Sequence, residues 1–73
     1  MTLDELKPGE LARVKKVIGK GAIRRRLMDM GLVSGVEVKM VKAAPLGNPI
    51  EYKLRGYHLA LRKSEACTVE IEI

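Results

Sequence analysis

Phenylalanine and tryptophan are absent from this 73-residue chain, tyrosine occurs twice, and there is one cysteine and one histidine. Without large aromatics, the core must be packed from Val, Leu, Ile and Met, and there is no ready platform on which unpaired bases could stack. A single cysteine excludes an intrachain disulfide framework and fits a reducing compartment. With one histidine and one cysteine, neither Cys-x-x-Cys nor a histidine pair is available to hold a metal. No apolar run approaches the ~20 residues of a membrane-spanning helix, and the N-terminus lacks the apolar core of a signal peptide. The expectation is a soluble cytoplasmic protein with one domain, residues 1–73, burying roughly 60% of the surface its unfolded chain exposes. At ~0.05–0.15 kcal/mol per residue, its stability comes to roughly 4–11 kcal/mol.

What the chain does have is positive charge and short apolar alternations. Fourteen Lys and Arg against nine Asp and Glu leave a net charge of +5. A solvated surface, an acidic protein partner or nucleic acid each account for such an excess. The densest cluster, Arg24-Arg25-Arg26, opens the stretch around which the chain is organised. Ile23, Leu27 and Met30 recur at i, i+4 and i+7 and predict a helix from about Ala22 to Met30, with that face inward. Gly31 falls where a left-handed residue ends a helix, and Leu32 and Leu27 then form the hydrophobic pair of a Schellman stop. Asp29 opposes the helix dipole and is expected to pair with Arg25 or Arg26 one turn back. Such a short helix needs a surface to lie on.

Short strands supply it. Thr2 and Glu5 have capping-box spacing for a single turn before Lys7-Pro8-Gly9. Glu10 to Ile18 reads as a strand whose phase slips between Val14 and Val17, predicting a bulge near Lys15-Lys16. Gly19-Lys20-Gly21 is a joint into the helix and lacks the spacing of a phosphate loop. Val36 to Lys42 and Ile50 to Arg55 alternate as half-buried strands around a Pro/Gly loop from Ala43 to Pro49. Gly56-Tyr57 is expected to turn into a strand carrying Leu59 and Leu61. Ser64 is expected to cap a turn over Glu65-Ala66, and Thr68 to Ile73 alternates to the end. The fold class is mainly β with one short helix: a small, closed or nearly closed five-stranded SH3-like barrel, with an OB-fold second. Ile23, Leu27 and Leu32 are expected to be buried beside Val14, Val38, Leu61 and Ile71.

Four segments in order carry a family resemblance. They are Leu3–Glu10, Arg26-Leu27-Met28-Asp29-Met30-Gly31-Leu32-Val33-Ser34-Gly35, Ala44-Pro45-Leu46-Gly47-Asn48-Pro49-Ile50, and Leu59–Lys63. Over essentially the whole chain the sequence resembles the FeoA family of small cytosolic proteins of bacterial ferrous iron uptake. The central Arg-Leu-x-x-Met-Gly-Leu-x-x-Gly block is the most specific part. The resemblance implies an SH3-like fold and action on the membrane permease FeoB, a GTP-binding ferrous transporter. Asn48 stands where the family commonly has Asp.

The residues are weighed separately. Ser34, Ser64, Cys67 and His58 are scattered without a nucleophile motif, so no catalytic residue and no enzyme activity is expected. No cofactor or resident metal site is expected either: Met28 and Met30 point different ways on a helix, Cys67 reads as a small buried hydrophobe, and His58 as exposed. The partner-binding residues are Arg24, Arg25 and Arg26, with Met28 as an adaptable apolar contact. Lys42 and Lys53 are possible extensions of that patch. Reversing all three arginines is expected to leave the barrel folded. The resulting expectation is a non-enzymatic accessory protein that binds the cytosolic part of a FeoB-type permease. The alternative is a small basic barrel that binds nucleic acid, against which the missing aromatics weigh.

Overall fold

The computed structural model describes residues 1–73. Alternating side chains produce five antiparallel strands: β1 (Leu11–Val17), β2 (Glu37–Ala43), β3 (Ile50–Leu54), β4 (Tyr57–Leu61) and β5 (Val69–Glu72). They form one sheet in the order β4-β3-β2-β1-β5. Helix α1 (Gly21–Asp29) joins β1 to β2, and a short helix α2 (Lys63–Ala66) joins β4 to β5. A 3-10 turn over Leu3–Glu5 precedes β1, and Glu5 accepts the Thr2 backbone N–H at 2.7 Å, as its spacing predicts. That bond, then one from the Thr2 hydroxyl, holds the Glu5 carboxyl below its usual range.

The expected bulge in β1 lies between Val14 and Lys16, where the pairing with β5 shifts register. A second bulge, between Met40 and Lys42 in β2, has no counterpart in the sequence reading. Each bulge adds local twist and bends its strand, so one face of the curled sheet encloses the core. That core includes Val14, Val38, Tyr52, Leu61 and Ile71, with Leu27 and Leu32 brought in from α1 and its exit. Tyr52 is fully buried and donates its hydroxyl to the Leu3 carbonyl at 3.2 Å, tying the N-terminal turn to the core. Burial, with the Asp4 charge adding to it, pushes its ionisation well above the usual phenol range.

The architecture is the small SH3-like barrel type, but the sheet does not close. β4 and β5 are its two ends and share no ladder. The chain between them turns as α2, and the N-terminus takes the place along β5 that closure would need. Met1 O accepts the Ile71 N–H at 2.9 Å, and Thr2 bridges Glu70.

Other local expectations shift. The β3–β4 turn is Arg55-Gly56, not Gly56-Tyr57; both residues have positive φ (48° and 81°), as a two-residue type I′ hairpin requires. Ser64 lies inside α2 and caps nothing; Glu65 Oε1 accepts the Arg62 N–H at 2.9 Å instead. Ile23 is 46% exposed rather than buried. It has the right phase, but the first turn of α1 lies at the rim, where Ile23 covers Gly19 and does not reach the core. Met30 is half-buried against the edge of the core.

The stop of α1 matches its sequence pattern bond for bond. Gly31 has φ +102°. The Leu32 N–H donates to Leu27 O at 3.2 Å and the Gly31 N–H to Met28 O at 3.0 Å, the two bonds of a Schellman motif. Leu27 and Leu32 are both fully buried.

Candidate functional site on helix α1

Because Leu27 faces inward, the residues one and two positions from it, Arg25, Met28 and Asp29 among them, turn outward, and Arg24, three back, lies at the margin of the apolar face. Arg24, Arg25 and Met28, with Gly21 and Asp29, line a shallow depression on the solvent side of α1. Met28 is 37% exposed. The Arg24 Nε donates to Val17 O at 3.4 Å, resting the side chain against the end of β1. Arg25 enters no ion pair, and Asp29 makes none of the pairs expected of it.

Arg26 is directed elsewhere. Its guanidinium nitrogen lies 2.6 Å from Glu65 Oε2, and the Glu65 side chain is only 9% exposed while that of Arg26 is 61% exposed. Both Glu65 oxygens are thus occupied, one by Arg26 and one by the Arg62 backbone. Arg26 fastens α1 to α2 and belongs to the framework as much as to the surface. The three consecutive arginines therefore divide two and one. Lys42 lies by the β2–β3 loop and Lys53 beside Lys39 and Arg55, so neither extends the α1 face.

This division refines the expectation that reversing all three arginines costs little stability, because Arg26 is held against Glu65 and the other two are not. Arg26→Glu places a second carboxylate against buried Glu65. Its cost is expected to fall between the ~0–1 kcal/mol of an exposed pair and the ~3–5 kcal/mol of breaking a buried one. Arg24→Glu with Arg25→Glu is expected to leave the melting temperature within a degree or two. Thermal unfolding of the two variants side by side checks the difference.

His58 is exposed and its Nδ1 lies 2.7 Å from Glu51 Oε2. Cys67 is exposed, contrary to expectation, because it ends α2 on the solvent side, with its thiol on Ser64 O at 3.2 Å. No three His, Cys, Asp or Glu side chains converge into a cluster that could hold a metal ion. No helix is long and apolar enough to cross a membrane.

Sequence reasoning missed three features beside this site. Glu65 stands three residues after Arg62 with capping spacing, which was a readable signal; its pairing with Arg26 was not. Tyr57 donates its hydroxyl to Met30 O and so latches the β3–β4 hairpin onto the helix stop. Asn48 Oδ1 accepts the Lys63 N–H at 2.6 Å and so anchors the β2–β3 loop to α2.

The five-stranded sheet, the helix between its first and second strands and the short helical turn before its last define a small SH3-like domain. The FeoA domain model matches residues 1–73, and the chain belongs to the FeoA family. The FeoA protein of Chlorobium tepidum is 46% identical with a TM-score of 0.92, over 100% of this chain and 70% of that one. The FeoA of Stenotrophomonas maltophilia, solved complexed with zinc and described as an SH3 domain protein, is 39% identical with a TM-score of 0.88. That match covers 99% of this chain and 89% of the other. A Porphyromonas gingivalis protein, an Fe(2+) transport protein A/Fe(2+) transporter FeoB fusion, is 37% identical over 73 residues, and this chain spans 9% of its length.

Proposed function

We propose that this protein is a non-enzymatic accessory of ferrous iron uptake that binds the cytosolic part of a FeoB-type permease and supports its transport. The observation that carries this reading is the fusion. In the Porphyromonas relative, a domain similar to the whole of this chain shares one polypeptide with the FeoB transporter. Such a link holds two domains at millimolar effective concentration, which is useful where they must meet. The Stenotrophomonas relative is described as a candidate activating factor of ferrous iron transport, which agrees.

The surface proposed for docking is the α1 face, with Arg24 and Arg25 steering and Met28 as the apolar contact. Arg26 acts behind it by holding the helix in place. The net charge of +5 suits an acidic partner. Nucleic acid fits the charge but not the aromatics: Tyr52 is fully buried, which leaves Tyr57 as a single exposed ring and no platform of successive aromatics on which bases could stack.

The test is binding of the Arg24→Glu, Arg25→Glu double variant to the cytosolic part of the permease. Reversal adds repulsion to lost attraction, and like charges facing each other cost several kcal/mol, so binding is expected to be lost while the fold persists. Undiminished binding of the folded variant contradicts the helix as the docking face.

A further inference from the structure

The loop between β2 and β3 is built to hold an apolar tip away from the domain. The Ala44 N–H donates to Pro49 O at 3.0 Å and the Gly47 N–H to Ala44 O at 2.7 Å. Asn48 fastens the loop to the start of α2 through the Lys63 N–H. Pro45 and Pro49 each fix a backbone φ. On this braced frame Leu46 is 96% exposed.

An exposed leucine alone means little; its surroundings give this one meaning. Two adjoining shallow depressions share Pro49 and Ala60. Ala43, Ala44 and Pro45 give the first an apolar floor, with Lys42 at its rim. Arg26 and Arg62 border the second, and Lys63 lies beside Asn48. Of the neighbouring carboxylates, Glu65 is paired with Arg26, and Glu51, opposite Lys42 across the strands, is within hydrogen-bond distance of His58 Nδ1. The result is an apolar projection with small apolar residues at its foot and unpaired cations around it.

We propose that Leu46 is an apolar anchor that seats in a pocket of an acidic protein surface, with Lys42, Arg62 and Lys63 facing carboxylates around that pocket. An apolar centre ringed by polar contacts is how interface energy is concentrated. A loop already held in shape loses little entropy on docking. The cations select an acidic rim. A lipid surface fits less well, because one leucine with three lysines or arginines is a small anchor and stable membrane attachment takes stronger signals. The proposal rests on the adaptor reading for the partner's identity, the permease, and adds a second contact region. Arg26 belongs to α1 and borders the loop face, so the two regions adjoin.

The experiment measures binding to full-length permease in nanodiscs containing anionic lipid, with empty discs of the same composition in parallel. Leu46→Ser is expected to weaken binding to permease discs by ~10-fold or more, mainly through faster dissociation. Its melting temperature is expected to match the wild type, since the side chain is held by nothing in the domain. Leu46→Met is expected to retain most of the affinity. Equal binding by wild type and Leu46→Ser, with loss only in the Arg24→Glu, Arg25→Glu variant, overturns the anchor and leaves the adaptor reading standing. No wild-type binding to permease discs overturns both. Equal wild-type binding to empty and loaded discs, reduced alike by Leu46→Ser, makes the anchor a lipid contact and overturns the proposal.

Discussion

Leu27→Ala is expected to lower the unfolding free energy by about 2–5 kcal/mol. Leu27 is fully buried and is the only residue of α1 that is. Its side chain is the main apolar tie between the helix and the sheet, and truncation leaves a cavity that surrounding strands cannot readily collapse into. For a domain whose whole stability is roughly 4–11 kcal/mol, such a loss is a large fraction. Denaturant unfolding measures it directly. A change below ~0.5 kcal/mol would place Leu27 outside the core. The variant also probes function indirectly, because loosening α1 releases the face on which Arg24, Arg25 and Met28 are held.

Gly31→Ala is expected to cost about 2–4 kcal/mol, for two separable reasons. At φ +102° an L side chain is strained, a cost of order 1–3 kcal/mol. The added Cβ would also lie 2.8 Å from the Tyr57 hydroxyl oxygen and 3.5 Å from Leu54 Cδ1. Tyr57 is 43% exposed and can swing aside, but only by giving up its bond to Met30 O. A lost hydrogen bond adds roughly 0.5–1.5 kcal/mol. A double-mutant cycle separates the two. In a Tyr57→Phe background the penalty for Gly31→Ala is expected to shrink, leaving the backbone strain. Equal penalties in both backgrounds would assign the whole effect to φ, and a neutral Gly31→Ala would contradict the assigned helix stop.

The helix stop and the strands were legible because their signals are local. A Schellman stop is written in the spacing of Leu27, Gly31 and Leu32, and alternation wrote the buried faces of β1 to β5. The bulge near Lys15 was visible as a phase slip. What stayed hidden depends on distance in sequence. Arg26 and Glu65 are 39 residues apart, so nothing in the run Arg24-Arg25-Arg26 distinguishes the arginine that braces α2 from the two that face solvent. Ile23 has the periodicity of a core residue, but its burial depends on where the sheet ends. A closed or nearly closed barrel was expected, and the fold is of that small SH3-like type, with the sheet left open between β4 and β5. The N-terminal residues bond along β5 there, a pairing that no single strand's pattern reveals. The overexposed Leu46 sat in a loop that was read only as a Pro/Gly breaker.

At the candidate site the same division applies. Charge and amphipathic pattern identified α1 as the face to consider, but the framework role of Arg26, the latch from Tyr57 and the brace from Asn48 all come from the fold. The first two hold α1 and its stop and the third holds the neighbouring β2–β3 loop, and such preorganisation lowers the cost of docking.

The central claim is that this domain recognises a permease and not nucleic acid. It is tested most directly by titrating the wild-type protein, at one ionic strength, with the permease's cytosolic part and with random-sequence RNA. Fixing the salt matters, because either electrostatic complex weakens as salt rises. The account predicts saturable binding to the permease and only weak, non-specific RNA binding. Tight RNA binding with no permease interaction would contradict it.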